Sequence, residues 1–212
     1  MYTPKDFRVT DPDVAFALIR HAPFGMLISV VDGEPAISHL PFSIIRTEPT
    51  LHLAMHLAKA NPHAQQLDGA RVRIAFSGVH GYISPRWYSN PSHDVPTWDY
   101  AVVHCSGTAQ IASNHEKLAI LTQLVTEMES AAEHPWSMQM LDREYRDEHM
   151  QHIVAFTIHV ESIEAKFKLS QNRTRADRDR VVAGLRESGP YQNNALADAI
   201  AEKNPVTTHL DG

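Results

Sequence analysis

The sequence has very little cysteine and no long hydrophobic run, and both absences exclude classes of protein. Cys105 is the single cysteine in 212 residues, so no internal disulfide is possible. It lies in the apolar alternation of residues 101–105, which predicts a buried and unreactive thiol rather than a nucleophile. The apolar runs are too short to cross a bilayer, and the first residues lack the hydrophobic stretch of a signal peptide. We therefore expect a cytoplasmic protein without a membrane partner.

Positive charge is also in short supply. The 19 lysines and arginines are outnumbered by 25 aspartates and glutamates, and the formal net charge of −6 argues against a general nucleic-acid-coating surface. Residues 166–186 are the exception, with seven basic and two acidic residues and hence a local excess of +5. This segment is the candidate for DNA contact, although an exposed amphipathic helix explains the same pattern. The sequence has no evident helix-turn-helix pair.

Phosphate-binding glycine motifs and metal-ligand clusters are absent as well. Neither GxGxxG nor GxxxxGK occurs, which excludes the usual dinucleotide and triphosphate loops. Fourteen histidines are an unusually large number, and His52, His56 and His63 come nearest to a metal-ligand spacing. No cysteine or clustered carboxylate completes a site around them, so we interpret them as pocket or core histidines.

Short strands at close spacing dominate the pattern that is present. Residues 25–31 and 34–40 are predicted strands joined by an Asp32-Gly33 hairpin turn. Four further predicted strands are rich in valine, isoleucine, leucine and aromatics: 50–55, 71–77, 100–112 and 153–163. Short strands that are mostly joined by turns favour an α+β protein, mainly β, built on an antiparallel barrel with flanking helices.

Capping residues predict where the helices begin. A helix over 12–21 follows Asp11, and a longer one follows the capping box of Ser113 and Glu116. The longer helix has a predicted core stripe of apolar side chains: Leu118, Leu121, Val125 and Met128. Ser137 is the predicted cap of a helix that runs towards residue 150, and Thr174 that of an amphipathic helix that ends near residue 187.

The chain length bounds the number of domains. At 212 residues we expect one core, because two domains of ordinary size need a longer chain. We assign residues 1–189 to this domain and residues 190–212 to a tail, in which no motif is recognisable.

Two stretches have the composition of a ligand site. Residues 82–100 hold five of the sixteen aromatic residues, with prolines, small hydroxyls and Arg86, which suits a pocket for a flat polar ligand or, alternatively, a buried aromatic corner. Asn61 and Pro62 predict a capped helix start, and Lys59 lies two residues before it. Such a helix start can bind phosphate, although most capped helices bind nothing.

Six blocks of sequence together resemble one family over nearly the whole chain. They are YTP at 2–4, SHLPF at 38–42, HLAKANP at 56–62, YISPRWY at 82–88, VPTWDYAVVH at 95–104 and KLSQNR at 168–173. In this order they are similar to the PaiB-like FMN-binding negative transcriptional regulators. The resemblance implies a split β-barrel, related to the pyridoxamine-phosphate-oxidase and flavin-reductase barrels, that dimerises and holds FMN near the subunit interface. Asp99 departs from the asparagine of the family block, and its charge there would weaken flavin binding or point into solvent.

The resemblance also implies which residues bind FMN. One subunit's side of the flavin is expected to be lined by residues of two blocks, with Lys59 and Asn61 towards the phosphate: Ser38, His39, Leu40, Met55, His56, Lys59 and Asn61. Trp98 and Tyr100 are expected near the ring, although a purely packing role is an alternative for Trp98 and for His39. The partner subunit is expected to close the site with Lys168, Gln171, Asn172 and Arg173, although a solvated surface position is an equal alternative for the two charged residues.

Three functions are compatible with this pattern. An FMN-binding negative regulator that acts as a homodimer comes first, as the resemblance implies. A flavin-dependent oxidoreductase of the split-barrel type is the alternative, because a bound flavin supplies redox chemistry itself. A haem-handling relative of the same barrel comes third and depends only on the number of histidines.

Overall fold

The computed structural model describes residues 1–46 and 50–203. Its eight strands are β1 (Arg8–Val9), β2 (Phe24–Val31), β3 (Glu34–Pro41), β4 (Ser43–Arg46), β5 (His52–Ala58), β6 (Arg71–Ile83), β7 (Thr97–Ile111) and β8 (Ile153–Lys168). Its α-helices are α1 (Pro12–His21), α2 (Asn114–Glu129), α3 (Arg143–Met150), α4 (Arg175–Arg186) and α5 (Asn194–Glu202). The strands form one sheet in the order β3-β2-β6-β7-β8-β5-β4, with β1 paired to β8, and each recorded register is antiparallel. None of the described helices is long and apolar enough to cross a membrane, and the cytoplasmic location stays a prediction.

The chain divides into two compact units. The first, unit 1, comprises residues 1–22, 76–103 and the chain from 164 on, and the second, unit 2, comprises 23–75 and 104–163. Strands β6, β7 and β8 each contribute residues to both units. The predicted boundary between a domain and a tail at residue 189 is therefore not visible as a division of the fold, and that assignment stays a prediction.

Unit 2 is built on two hairpins and one packed helix. β2 and β3 pair along their whole length around the predicted turn, where Asp32 and Gly33 have φ of 51° and 86°. Positive φ at both positions matches the right-handed twist of the two strands, which confirms the hairpin prediction. α2 packs over the β5 and β8 pair through Ile120, which contacts the small residues Ala54 and Ala155.

Unit 1 places its helices around the ends of the long strands. α4 and α5 pack on each other, and α5 buries Leu196, Ala197, Ala199 and Ile200. The part of the predicted tail that the structure describes thus contains a helix with a buried face, whereas residues 204–212 lie outside the described residues. Asn193 caps this helix by accepting a hydrogen bond from the Leu196 N–H at 3.0 Å.

Most predicted elements exist, but several boundaries and faces differ. The capping box of Ser113 and Glu116 is present, yet Met128 is 52% exposed and the buried residues of α2 are Ile120, Leu121 and Leu124. The predicted stripe is wrong in part, because the helix turns Ile120, rather than Met128, towards Ala54 and Ala155 of the sheet.

The predicted helix after Ser137 is also wrong in part. Ser137 precedes a single 3₁₀ turn, Met138–Met140, and α3 begins only at Arg143. Leu141 has an extended backbone, with ψ of 140°, and this interrupts the helix. The Thr174 cap, by contrast, is confirmed, since its hydroxyl accepts the Asp177 N–H at 3.1 Å.

Candidate functional site

Strand β5 brings two of the predicted flavin residues into unit 2, on opposite faces of the sheet. Met55 is buried in the core, whereas His56 is half-buried and lies in register with Ala155. The Nδ1 atom of His56 is buried and makes no hydrogen bond within the described part of the chain. Burial lowers the pKa of His56, so its ring is neutral near pH 7. A buried nitrogen without a partner costs about 1–3 kcal/mol, so this atom fits a ligand that can hydrogen-bond to it.

Lys59 lines a cleft of about 380 Å³ that suits an anion. The cleft also contains Asn114, Lys117 and Gln151. Lys117 Nζ donates to the carbonyl oxygens of Met150 at 2.7 Å and Ile153 at 3.2 Å, so its ammonium is engaged. Lys59 is exposed, and its ammonium makes no hydrogen bond or ion pair with the described residues. Lys59 is therefore the cation of this cleft that can still pair with a phosphate.

Asn61 caps a helix, as predicted, but that helix is very short. Its side-chain oxygen accepts the His63 N–H at 3.0 Å, and the helix is a five-residue 3₁₀ segment, Pro62–Gln66. So short a segment sums few peptide dipoles, and the predicted contribution of a helix dipole to phosphate binding is not supported. The case for a phosphate here depends on Lys59.

A buried polar network lies beneath the predicted flavin block of β3. His63 is 6% exposed, and its ring nitrogens lie 2.9 Å from the Ser29 hydroxyl and 2.8 Å from the Ser38 hydroxyl. A neutral imidazole satisfies both, since one nitrogen donates while the other accepts. Sequence reasoning identified Ser38 as a flavin residue and His63 as a pocket or core histidine. It missed Ser29, because the alternation of β2 alone does not show which inward residue meets a histidine.

We expect the free energy of unfolding to fall as the pH drops below about 6.5. Burial lowers the pKa of His63 from its ordinary value of 6.5, so the unfolded chain takes up the proton first and acid favours unfolding. Denaturant titrations over this range should show a smaller loss for His63→Gln than for the wild type. Asp99 and His56 titrate in both proteins, so the difference isolates His63. Equal losses in both proteins would contradict a neutral, buried His63.

The face of the β2–β3 hairpin that points away from the core is almost entirely apolar. Cross-strand partners on this face are Phe24 and Pro41, Met26 and His39, Ile28 and Ile37, and Val30 and Pro35. We call these eight residues the outer hairpin face. Phe24 is 63% exposed and Val30 72%, and the Phe24 ring stacks on His39 at 6.3 Å. β3 ends the strand order of the sheet, so a predicted flavin residue lies on an exposed apolar sheet edge.

In unit 1, Asp99 stands where the family block has asparagine, and it pairs with residues at the end of β8 and just after it. Asp99 is 1% exposed and accepts from the Ser170 hydroxyl at 2.6 Å, while the Lys168 ammonium lies 3.5 Å away. Burial raises the pKa of Asp99, and Ser170 and Lys168 act in the opposite direction. The expectation that Asp99 points into solvent is wrong. Because Lys168 also donates to the Trp98 carbonyl at 2.8 Å and to the Thr97 hydroxyl, its ammonium is largely used within this unit.

The loop after β8 holds the other residues predicted to come from the partner. The Gln171 side chain accepts from the Leu169 N–H and donates to the Phe167 carbonyl, both at 2.6 Å, so its amide fixes the loop. Arg173 pairs with Asp94 at 2.6 Å and lies over the Tyr88 ring at 4.2 Å. Asn172 is exposed.

Trp98 and Tyr100 are both in unit 1, in different surroundings. The Tyr100 ring lies 5.2 Å from Lys166 Nζ, a cation–π distance. Trp98 is 49% exposed and lines a cleft of about 580 Å³ together with Tyr82 and Tyr191. The predicted pocket within residues 82–100 thus exists in part, but one wall comes from the segment that was assigned to a tail.

The antiparallel sheet with its flanking helices is the architecture of the split-barrel class of flavin-binding proteins. The chain matches the family described as "Putative FMN-binding domain" over residues 1–162. It belongs to this family, and its cofactor is FMN.

Relatives agree with this assignment. The chain is 30% identical over 204 residues to the Bacillus subtilis protein named protease synthase and sporulation protein PAI 2, covering 96% of this chain and 98% of that protein. This match confirms the PaiB-like resemblance. Among solved structures, the FAD and haem binding protein from Mycobacterium smegmatis has a TM-score of 0.58 at 16% identity, over 76% of this chain and 73% of that one. The flavocytochrome Anf3 from Azotobacter vinelandii has a TM-score of 0.56 at 14% identity, over 76% and 69%. These two structures support the fold alone.

Proposed function

We propose that the protein is an FMN-binding negative regulator of the PaiB type that acts as a homodimer. The observation that carries the proposal is the outer hairpin face, because it combines a large exposed apolar surface with His39, a residue expected beside the flavin. A second copy of the chain would cover this face and shield the cofactor from water. The cytoplasm is the proposed location.

The chain's own residues have distinct proposed roles around FMN. When bound, FMN supplies electron and hydride transfer at its isoalloxazine ring. His56 would offer its unpartnered Nδ1 to the cofactor, and Lys59 would pair with the phosphate. Ser38 would be held in place by His63 beneath it. The remaining predicted contacts stay proposed as a group: Leu40, Asn61, Tyr100, Asn172 and Arg173. Met55, whose side chain is buried in the core, and Trp98, which lines the separate cleft of unit 1, are not part of this group. For Lys168 and Gln171 we propose an indirect role in fixing the β8 loop.

We expect sedimentation at micromolar concentration to give twice the chain mass of 23.8 kDa. Ile37→Glu should produce a monomer, because it places a charge in the centre of an apolar interface. Met140→Glu is the matched control, since Met140 is 66% exposed on a 3₁₀ turn that is not part of this face, and its replacement should leave the dimer intact. A wild-type monomer, or a dimer that Ile37→Glu leaves intact, would contradict the proposed interface.

The basic segment 166–186 is less basic in the folded protein than in the sequence. Three carboxylates from outside the segment pair with its cations: Asp99 with Lys168, Asp94 with Arg173 and Asp198 with Arg186. These three carboxylates reduce the local excess of positive charge from +5 to +2. Lys166 is buried, at 8% exposed. The regulatory role that we propose therefore acts through the flavin or another surface rather than through this segment.

We expect replacement of Arg175, Arg178 and Arg180 by alanine to leave binding to duplex DNA unchanged. If these arginines contacted phosphates, the slope of log affinity against log salt would fall by about 0.9 for each. The measurement is fluorescence anisotropy with a short labelled duplex over a range of salt. If the slope instead fell by about 0.9 for each of the three arginines, the result would support the predicted DNA contact.

A flavin-dependent oxidoreductase is the second candidate, and the neutralised basic segment favours it. A comparison of two strains, a gene deletion and a Lys59→Ala replacement, tests the regulatory function directly. The levels of the same transcripts should rise in both strains if the FMN-loaded protein represses them. Unchanged transcripts, together with nicotinamide-dependent reduction of the bound flavin, would favour the oxidoreductase. The absorbance of the purified protein tests the cofactor, because a haem Soret band instead of flavin bands would support the third alternative.

A further inference from the structure

We propose that the cleft lined by Tyr82, Trp98 and Tyr191 binds a neutral planar aromatic molecule with carbonyl groups, of the quinone class, separately from FMN. The proposal goes beyond the proposed function and does not depend on it. The volume of about 580 Å³ lies within the range of small-molecule sites.

The aromatic side chains of the walls pack on each other in pairs but leave ring surface open to the cleft. The Tyr82 and Tyr191 rings lie 5.1 Å apart and the Tyr82 and Trp98 rings 6.4 Å apart, while His80 stacks on Trp98 at 6.1 Å. Trp98 and Tyr191 are nevertheless 49% and 43% exposed. Ring faces exposed inside a concave site gain most from a flat apolar ligand, because stacking and burial act together.

The cleft is fixed in place by close contacts behind it. A Cβ on Gly184 would lie 2.3 Å from Trp87 Nε1, so the Trp87 ring lies directly on this helical glycine and meets Tyr191 edge-on at 6.5 Å. Asn193 donates from its side chain to the His80 carbonyl at 2.9 Å and from its backbone to the Leu185 carbonyl at 2.8 Å. The wall formed by residues 190–193 is thus held rigidly, and a rigid site loses less conformational entropy on binding.

The lining determines the class of ligand. Its seven residues are all uncharged: Gly81, Tyr82, Trp98, Pro190, Tyr191, Gln192 and Asn193. A phosphate-bearing cofactor would find no counter-charge among them, which separates this cleft from the Lys59 cleft. The tyrosine hydroxyls can donate to carbonyl oxygens, and the Gln192 amide is held only by a 3.5 Å contact to the Arg186 carbonyl. These donors suit the carbonyl edge of a quinone.

The test titrates FMN-loaded protein with menadione, a neutral naphthoquinone, and follows tryptophan fluorescence. Trp136→Phe serves as the parent protein, because it removes an exposed tryptophan that does not line this cleft. Cys105 does not interfere, because burial raises its pKa to about 12 and keeps the thiol protonated. We expect saturable quenching that Tyr191→Ala weakens about tenfold, whereas Tyr191→Phe keeps most of the affinity.

The controls separate this proposal from the others. Tyr145→Ala, another exposed tyrosine, should bind menadione like the parent. Equal affinity in the parent and Tyr191→Ala would overturn the proposal, and so would competition between menadione and FMN, which would place the flavin ring in this cleft. Menadione binding by a protein that fails to bind FMN would support the cleft and contradict the FMN site instead.

Discussion

Gly107→Ala is expected to destabilise the protein by about 3 kcal/mol, the largest effect on stability that we anticipate from a single methyl group. A Cβ at this position of β7 would lie 2.0 Å from the His159 carbonyl oxygen and 2.9 Å from its carbonyl carbon. Both are backbone atoms of β8, so no flexible side chain can move aside. The strands would have to separate and lose ladder hydrogen bonds. Urea unfolding of the FMN-free protein measures the change.

Gly69→Ala is the matched control for this prediction. Gly69 has φ of +74°, and a Cβ there would meet no atom within 4 Å, so only the left-handed backbone is penalised. That penalty is about 1–2 kcal/mol. A Gly107→Ala protein no less stable than Gly69→Ala would show that the strands accommodate the methyl group and that the steric explanation is wrong.

The strand core was predictable from the sequence, but the strand ends were not. The Asp32-Gly33 turn specifies its hairpin locally, because an Asp-Gly pair favours a turn with two positive φ values, and such a turn matches the strand twist. β6 instead continues six residues beyond the predicted end at Ser77, through a stretch that contains Gly78 and Gly81, and glycine is depleted in strands. Its continuation depends on pairing with neighbouring strands, and a single sequence window does not contain that information.

The charge pairs of the candidate site were the least predictable feature. Asp99 and Lys168 are far apart in sequence, and each read alone suggests a solvated or ligand-binding charge. Only the fold shows that they satisfy each other. Tyr191 was missed for a related reason: the segment before α5 resembles no motif, although Asn193 and the apolar residues after it are a capped-helix signal that could have indicated a packed helix.

Lys59→Ala is expected to weaken FMN binding by about 1.5–3 kcal/mol, roughly tenfold to 150-fold, and to leave riboflavin binding nearly unchanged. Riboflavin lacks the phosphate, so it keeps every contact to the ring that FMN makes. The difference follows from the cleft, in which the Lys117 ammonium is already held by two carbonyl oxygens and the Lys59 ammonium is available. Calorimetric titration of FMN-free protein with each ligand measures both affinities.

Two variants make this prediction specific to charge and position. Lys59→Arg should retain most of the FMN affinity, because a guanidinium also pairs with phosphate. Lys5→Ala removes an exposed lysine of unit 1 and should bind both ligands like the wild type, since it lowers the net charge equally but lies outside this cleft. If Lys59→Ala weakened FMN and riboflavin to the same extent, the phosphate would have to lie elsewhere, and Lys59 would act on the shape of the site rather than on the charge of its ligand.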